Sequence, residues 1–250
     1  MEAPRERHAG VEDGGVIVLG IETSTPQTSV AIGSERGILG ALRFAGTTRR
    51  DAVAPALEHL LGWAGVDLGQ IGGVAVGLGP GLFTGLRVGV ATGKSLAQVL
   101  SVPIVGLPSL DVLAYAVRYT RRLIGAVIDA RRGEVFFAFY RGVPGGVVRD
   151  GEHRVGPPAH LAAEIQARGE DVLLVGNGAI LYRQEIEEVV GKVEFASPAL
   201  AFPEASALVE LAIPRFILET PDRLFDLVPL YLRKSDAEIA WDQRARGASA

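Results

Sequence analysis

Two acidic residues, Glu22 and Asp129, each close an apolar run and stand at the mouth of a turn that feeds a second strand. The first unit reads VIVLGIE-TSTP-QTSVAIG and the second IGAVID-ARRG-EVFFAFY, about a hundred residues apart. Two such carboxylates facing one another across a cleft could hold Mg²⁺; alternatively, each caps its own turn. Between them lies GLGPGLFTGLRVG (Gly77 to Gly89), a glycine-rich link from a buried strand to a helix. Such a link can bring backbone N–H groups against a phosphate at the helix N-terminus. The competing reading is a strand-to-helix turn that needs positive φ. Neither a Walker loop nor G-x-G-x-x-G is present. A third turn, Gly176-Asn177-Gly178, follows another apolar run. Gly77, Gly79, Gly81, Glu22, Asp129, Gly176 and Gly178 therefore make up the candidate nucleotide-binding set, and no catalytic residue is assigned.

Other chemistries lack their parts. The 250-residue chain has no cysteine, which removes thiol nucleophiles, thiolate zinc sites and disulfides together. Its four histidines, His8, His59, His153 and His160, contain no H-x-x-x-H pair, so helical i, i+4 metal ligation is unavailable. His59 reads as a buried structural group. G-x-S-x-G is absent as well. No metal site is expected. The formal charge of −4 supplies no general attraction to RNA. No apolar stretch approaches the ~20 residues of a membrane span, and no targeting signal is visible, so a cytoplasmic location is expected.

The elements that must position these residues follow from periodicity. Residues 1–15 read as a polar tail. Val16 to Ile21, Thr28 to Ile32 and Ile38 to Phe44 read as strands, the first without alternation, as for a strand buried on both faces. Asp51 is the N-cap expected for a helix to about Trp63, with Val53, Leu57, Leu60, Leu61 and Ala64 at helical spacing. Ile71 to Val76 is a strand, followed by the glycine loop, a helix to about Leu100, a strand over Val102 to Val105, and a helix capped by Ser109 running to Tyr119. Then the opening pattern repeats. Ile124 to Ile128 and Glu134 to Tyr140 form the second hairpin; Val172 to Val175 is a strand, with a helix after it to Val190. Ala205 to Ile217 is a further helix, and residues 236–250 form a polar tail. Mixed α/β layers and an internal duplication are implied, with a domain boundary near Leu107: residues 16–107 and 108–235.

The helix after the glycine loop carries Gly85, Gly89, Gly93 and Ala97 at every fourth position. Glycine inside a helix costs roughly 1 kcal/mol relative to alanine, so the stripe needs compensation. Close packing within the molecule and close packing on a partner helix both supply it.

Five segments in order and spacing resemble the TsaB (YeaZ) family: Gly20 to Gly33, Gly77 to Gly89, Ile128 to Tyr140, VGNGA (Val175 to Ala179) and PLYLR (Pro229 to Arg233). The resemblance spans about Val16 to Arg233. It implies two tandem actin-like (ribonuclease-H-like, ASKHA superfamily) domains with mixed sheets. It also implies a non-catalytic role beside TsaD, the paralogue that transfers threonylcarbamoyl to the adenosine next to the anticodon, with TsaE as third partner and tRNA met only through the complex. A homodimer is implied in isolation. The implied contact uses the first two helices of the N-terminal domain, here Val53, Leu57, Leu61, Gly85, Gly89, Gly93 and Ala97. On that reading Gly89→Leu breaks association before it breaks the fold. No cofactor is implied for this chain; ATP or ADP and Mg²⁺ at the complex come mainly from partners. TsaD-like proteins carry a metal-binding histidine pair where this chain reads VGLPSLDVLA (Val105 to Ala114), without histidine. Glu22 stands where Asp is commoner, Leu82 where Ser is, and Leu78 where Arg is. Both leucines remove groups that could meet a phosphate. The glycoprotease-like description attached to the family finds no peptidase residues here. The competing function is an ATP-dependent, sugar-kinase-like phosphotransferase of the same fold, with Glu22, Asp129 and the two glycine turns on Mg-ATP.

Overall fold

The computed structural model describes residues 15–45, 53–191 and 193–233. The proposed Asp51 cap, residues 1–14 of the first polar tail and all of the second lie outside them. Two sheets with the same wiring carry the fold. In the first, β1 (Ile17–Glu22) pairs antiparallel with β2 (Gln27–Ser34), which pairs antiparallel with β3 (Gly37–Ala45). On its other side β1 pairs parallel with β4 (Ile71–Gly77), and β4 with β5 (Ile104–Leu107), giving the order β3-β2-β1-β4-β5.

In the second sheet β6 (Leu123–Arg131) pairs antiparallel with β7 (Glu134–Val143). Both β8 (Gly146–Arg149) and β9 (Arg154–Gly156) pair with β7, so two short pieces take the place of one long third strand. On the other side β6 runs parallel to β10 (Val172–Val175), and β10 to β11 (Glu194–Phe195). The duplication read from the two acidic hairpins is thus a duplication of topology.

Each sheet is buried on both faces, which is why its central strands lack polar alternation. Leu19 and Ile21 of β1 point into one core with α1 (Val53–Ala64) and α2 (Phe83–Leu100). Val18 points the other way, into a core built with α7 (Ala205–Ile217) and Val112 of α3 (Ser109–Tyr115). Leu110 and Leu113 of α3 pack instead on Ile124, Ile128 and Tyr140 of the second sheet. Its far face, with Val127, Phe137 and Phe139, is covered by α4 (Pro158–Arg168), α5 (Asn177–Leu181) and α6 (Arg183–Val190).

Several expectations change. The division near Leu107 separates the two sheets, but α7 crosses back onto the first, so that lobe is assembled from two distant chain segments. The α3 helix ends at Tyr115, short of Tyr119, and Pro108 rather than Ser109 precedes it. One helix to Val190 becomes two, broken at Tyr182 with φ −105° and ψ 22°. The short strands β8, β9 and β11 and the helix α4 are additions.

Candidate functional site

Thr23, Ser24 and Thr25, the turn of the first hairpin, are all buried. The glycine loop and the start of α2 lie directly on them. Leu82 N–H donates to the Ser24 carbonyl at 2.7 Å, and the Thr23 hydroxyl donates to the Gly85 carbonyl at 2.8 Å. A side chain at Gly81 would collide with the Ser24 carbonyl oxygen, one at Gly85 with the Thr23 carbonyl oxygen, and one at Gly89 with Thr23 Oγ1. Gly93 continues the line, pressed on Val76 of β4. The glycine stripe is therefore the bed for the hairpin turn and its sheet. Of the expected interface residues, Gly89, Gly93, Ala97, Val53 and Leu57 are buried in the molecule, and Gly85 and Leu61 are half-buried. Close packing offsets the helix cost of the glycines from within.

Glu22 sits beneath this loop, fully buried. Its Oε1 accepts the Ser24 N–H at 2.7 Å and its Oε2 accepts the Ser109 hydroxyl at 2.8 Å. Ser109 Oγ in turn accepts the Gly79 N–H at 3.1 Å, and Ser109 N–H donates to the Gly79 carbonyl at 2.7 Å. Burial raises the Glu22 carboxyl above its ordinary value, and the hydrogen bonds from Ser24 and Ser109 oppose that without cancelling it. A side chain at Gly77 would run into the same carboxylate. Loop amides that could cradle a phosphate have internal acceptors instead: Leu78 on Leu107, Gly79 on Ser109 and Leu82 on Ser24.

Asp129 occupies the corresponding place in the second hairpin and, beyond the backbone N–H two residues on that each acid accepts, differs in its contacts. It is 7 % exposed; its carboxylate accepts the Arg131 N–H at 2.8 Å and lies 3.5 Å from the Tyr182 hydroxyl. Its own N–H donates to Asn177 Oδ1 at 3.2 Å. Around it, Gly176 (φ +118°) lies on the Val127 carbonyl and Gly178 on the β6 backbone at Ile128. The structure thus gives each candidate nucleotide glycine a packing role, and gives Glu22 and Asp129 separate partners. Ser109, Thr23, Asn177 and Tyr182 complete these networks; Thr23 and Asn177 lie within the quoted motifs, but the role of each is set by tertiary contact.

No group of three or more His, Asp or Glu side chains able to hold a metal exists among the described residues. His59 is exposed and stacks on Trp63 at 5.8 Å, against the expectation of burial. His153 instead lies between Tyr140 and Asp111, each 3.2 Å from its Nε2. No helix among the described residues is long and apolar enough to cross a membrane.

Residues 43–241 match the family described as TsaD, tRNA N6-adenosine threonylcarbamoyltransferase. The tRNA threonylcarbamoyladenosine biosynthesis protein TsaB of Bacillus subtilis is 31% identical over 90% of this chain and 97% of its own. TsaB of Escherichia coli is 26% identical over 90% of this chain and 96% of its own. The structure of YeaZ from Pseudomonas aeruginosa superposes with a TM-score of 0.76 at 27% identity, covering 87% of this chain and all (100%) of that one. A wider likeness of fold alone, TM-score 0.50 at 10% identity, extends to the activator of 2-hydroxyisocaproyl-CoA dehydratase from Clostridium difficile. With two wired-alike sheets, five ordered motifs and relatives matched nearly end to end, the chain belongs to the TsaB (YeaZ) family of tRNA threonylcarbamoyladenosine biosynthesis proteins.

Proposed function

We propose that this chain is a non-catalytic subunit in tRNA threonylcarbamoyladenosine synthesis, binding a TsaD-type transferase and TsaE and meeting tRNA only through that assembly. The observation that carries the reading is the closed glycine loop: Glu22 accepts the Ser24 N–H and the Ser109 hydroxyl, and the Leu78, Gly79 and Leu82 amides have acceptors within the molecule. Groups that would have to meet Mg-ATP in the phosphotransferase reading are committed to holding the first lobe together. ATP, ADP and Mg²⁺ then belong to the partners.

The contact surface moves from the glycine stripe to the opposite side of the same helices. Thr84, Ala91, Ser95 and Val99 of α2 are exposed, as are Glu58 and Trp63 of α1. Small side chains there permit a second helix pair to approach closely, either from the transferase or, in isolation, from a second copy. Ala91→Arg and Ser95→Arg should remain folded and lose co-purification with TsaD. Depleting the chain from its cell should lower threonylcarbamoyladenosine in tRNA. Full retention of TsaD by both folded variants would sink the surface assignment, and unchanged tRNA modification after depletion would sink the function.

A further inference from the structure

After α7 the chain does not leave the molecule; it runs along the edge of the first sheet toward the second. Asp222 pairs with β5: its N–H donates to the Ile104 carbonyl and its carboxylate accepts the Gly106 N–H, both at 2.8 Å. A turn follows at residues 223–227, whose carbonyls at Phe225 and Leu227 accept Lys94 Nζ of α2 at 3.5 and 3.1 Å. Leu224 and Leu227 join the first core. Leu230 N–H then donates to the carbonyl of Leu78, inside the glycine loop, at 2.8 Å, and Tyr231 stacks on Phe83 with ring centroids 5.0 Å apart. One residue later the allegiance changes. Leu232 packs on the core of the second sheet. Arg233 donates to the Ala130 carbonyl at 2.9 Å and to Glu134 at 2.5 Å, both on the second hairpin.

Three residues therefore carry the chain from the glycine loop to the second hairpin. An extended chain spans at most about 3.3–3.6 Å per residue, so these two backbones are held within about 10 Å plus the reach of one arginine. We infer that residues 224–233 are a staple that fixes the two lobes in one relative arrangement. The segment anchors in both cores and runs from the glycine loop to the second hairpin. It assigns a purpose to the PLYLR motif that neither hairpin explains. Domain closure requires a few residues that absorb large changes in φ and ψ between otherwise separate bodies. Here one of the spans that would have to give is pinned at Leu230, Tyr231, Leu232 and Arg233 in succession.

The absence of cysteine makes a direct test simple. Glu35→Cys, at the exposed β2–β3 turn, and Ala167→Cys, exposed on α4, place one spin label on each lobe of the full chain. The inter-label distance should form one narrow distribution, unmoved by Mg-ATP. Arg233→Ala should lose that single narrow peak, and Glu134→Ala, which cuts the same contact from the other side, should do likewise. Circular dichroism should show both variants folded, since a merely stabilising contact would lower the melting temperature without widening the distribution. A broad distribution in the parent, or one as narrow in folded Arg233→Ala as in the parent, would overturn the inference. So would unfolding of both variants, which would make the contact a support of the core and not of the lobe arrangement.

Discussion

The two acidic hairpins share a plan and differ in what surrounds it. The first turn, Thr23 to Thr25, is buried under α2; the second, Arg131 to Gly133, is exposed. The first reaches its surroundings through packed glycines, while the exposed second turn holds Arg131 and Arg132 at φ +64° and +59°. Two non-glycine residues in the left-handed region are uncommon; the two-residue hairpin turn requires that geometry at Arg132 and Gly133, and Arg131 adopts it at the register shift of the β6–β7 pair. The lesson is that duplication fixes strand order and acid placement, whereas burial decides what each acid does. Glu22 became an internal lock; Asp129 stayed a turn carboxylate paired at 3.4 Å with Arg131.

The strongest way to break this contrast is Gly89→Leu. Its first side-chain atom would meet Thr23 Oγ1, within a helix that cannot retreat from its sheet. Overpacking of that kind costs typically about 1–3 kcal/mol and more where backbone must move. The expected outcome is loss of folding, read by circular dichroism; a folded protein that has lost only its partner would restore the interface reading of the stripe. Next in size is the difference between Glu22→Ala and Asp129→Ala. Removing Glu22 leaves the buried Ser24 N–H and Ser109 hydroxyl without acceptors beside a new void, which should cost about 2–4 kcal/mol. Removing Asp129 should cost about 1 kcal/mol, since its ion partner Arg131 is half-exposed. Equal losses in urea titrations would dissolve the distinction.

Glu22→Gln sharpens it through pH. A carboxyl raised in the folded state binds its proton more tightly there than in the unfolded chain. Stability from this group is therefore present below the unfolded value of 4.5 and falls as pH rises through the folded value. Glutamine keeps the shape without titrating, so the stability of Glu22→Gln relative to the parent should rise as pH climbs above 4.5. A flat difference would show that Glu22 does not change protonation on folding. The smallest effect is expected at Arg131→Gly. Relief of the left-handed backbone and loss of a half-exposed ion pair should nearly cancel, leaving stability within about 1 kcal/mol of the parent.

Much of this was legible in the residues. Unalternating apolar runs mark β1, β4 and β6, and the repeated strand–acid–turn–strand unit discloses the paired sheets. The glycine stripe was legible as a demand for close packing but not in its direction, because helical periodicity identifies a face without naming what lies against it. Contacts between residues far apart in sequence were beyond reach. Ser109 on Glu22, 87 positions away, and Arg233 on Glu134, 99 away, leave no local pattern.

The return of α7 has a consequence for how the protein comes into being. Gly20 of β1 accommodates Val209 and the Ala205 carbonyl, Gly73 of β4 accommodates the Phe216 ring, and Ser29 of β2 accepts the Ala205 N–H at 3.0 Å. One face of the first sheet is thus shaped for a helix that the ribosome makes almost two hundred residues after β1. Chains emerge N-terminus first, at about 5–20 residues per second. For roughly ten seconds or more of synthesis, that apolar face has no cover. The second sheet needs no such wait, since α3 through α6 lie close to its strands in sequence. The lobe translated first therefore waits longest for its covering helix, and a nascent chain arrested before residue 205 would display an open apolar sheet to the folding machinery of its cell.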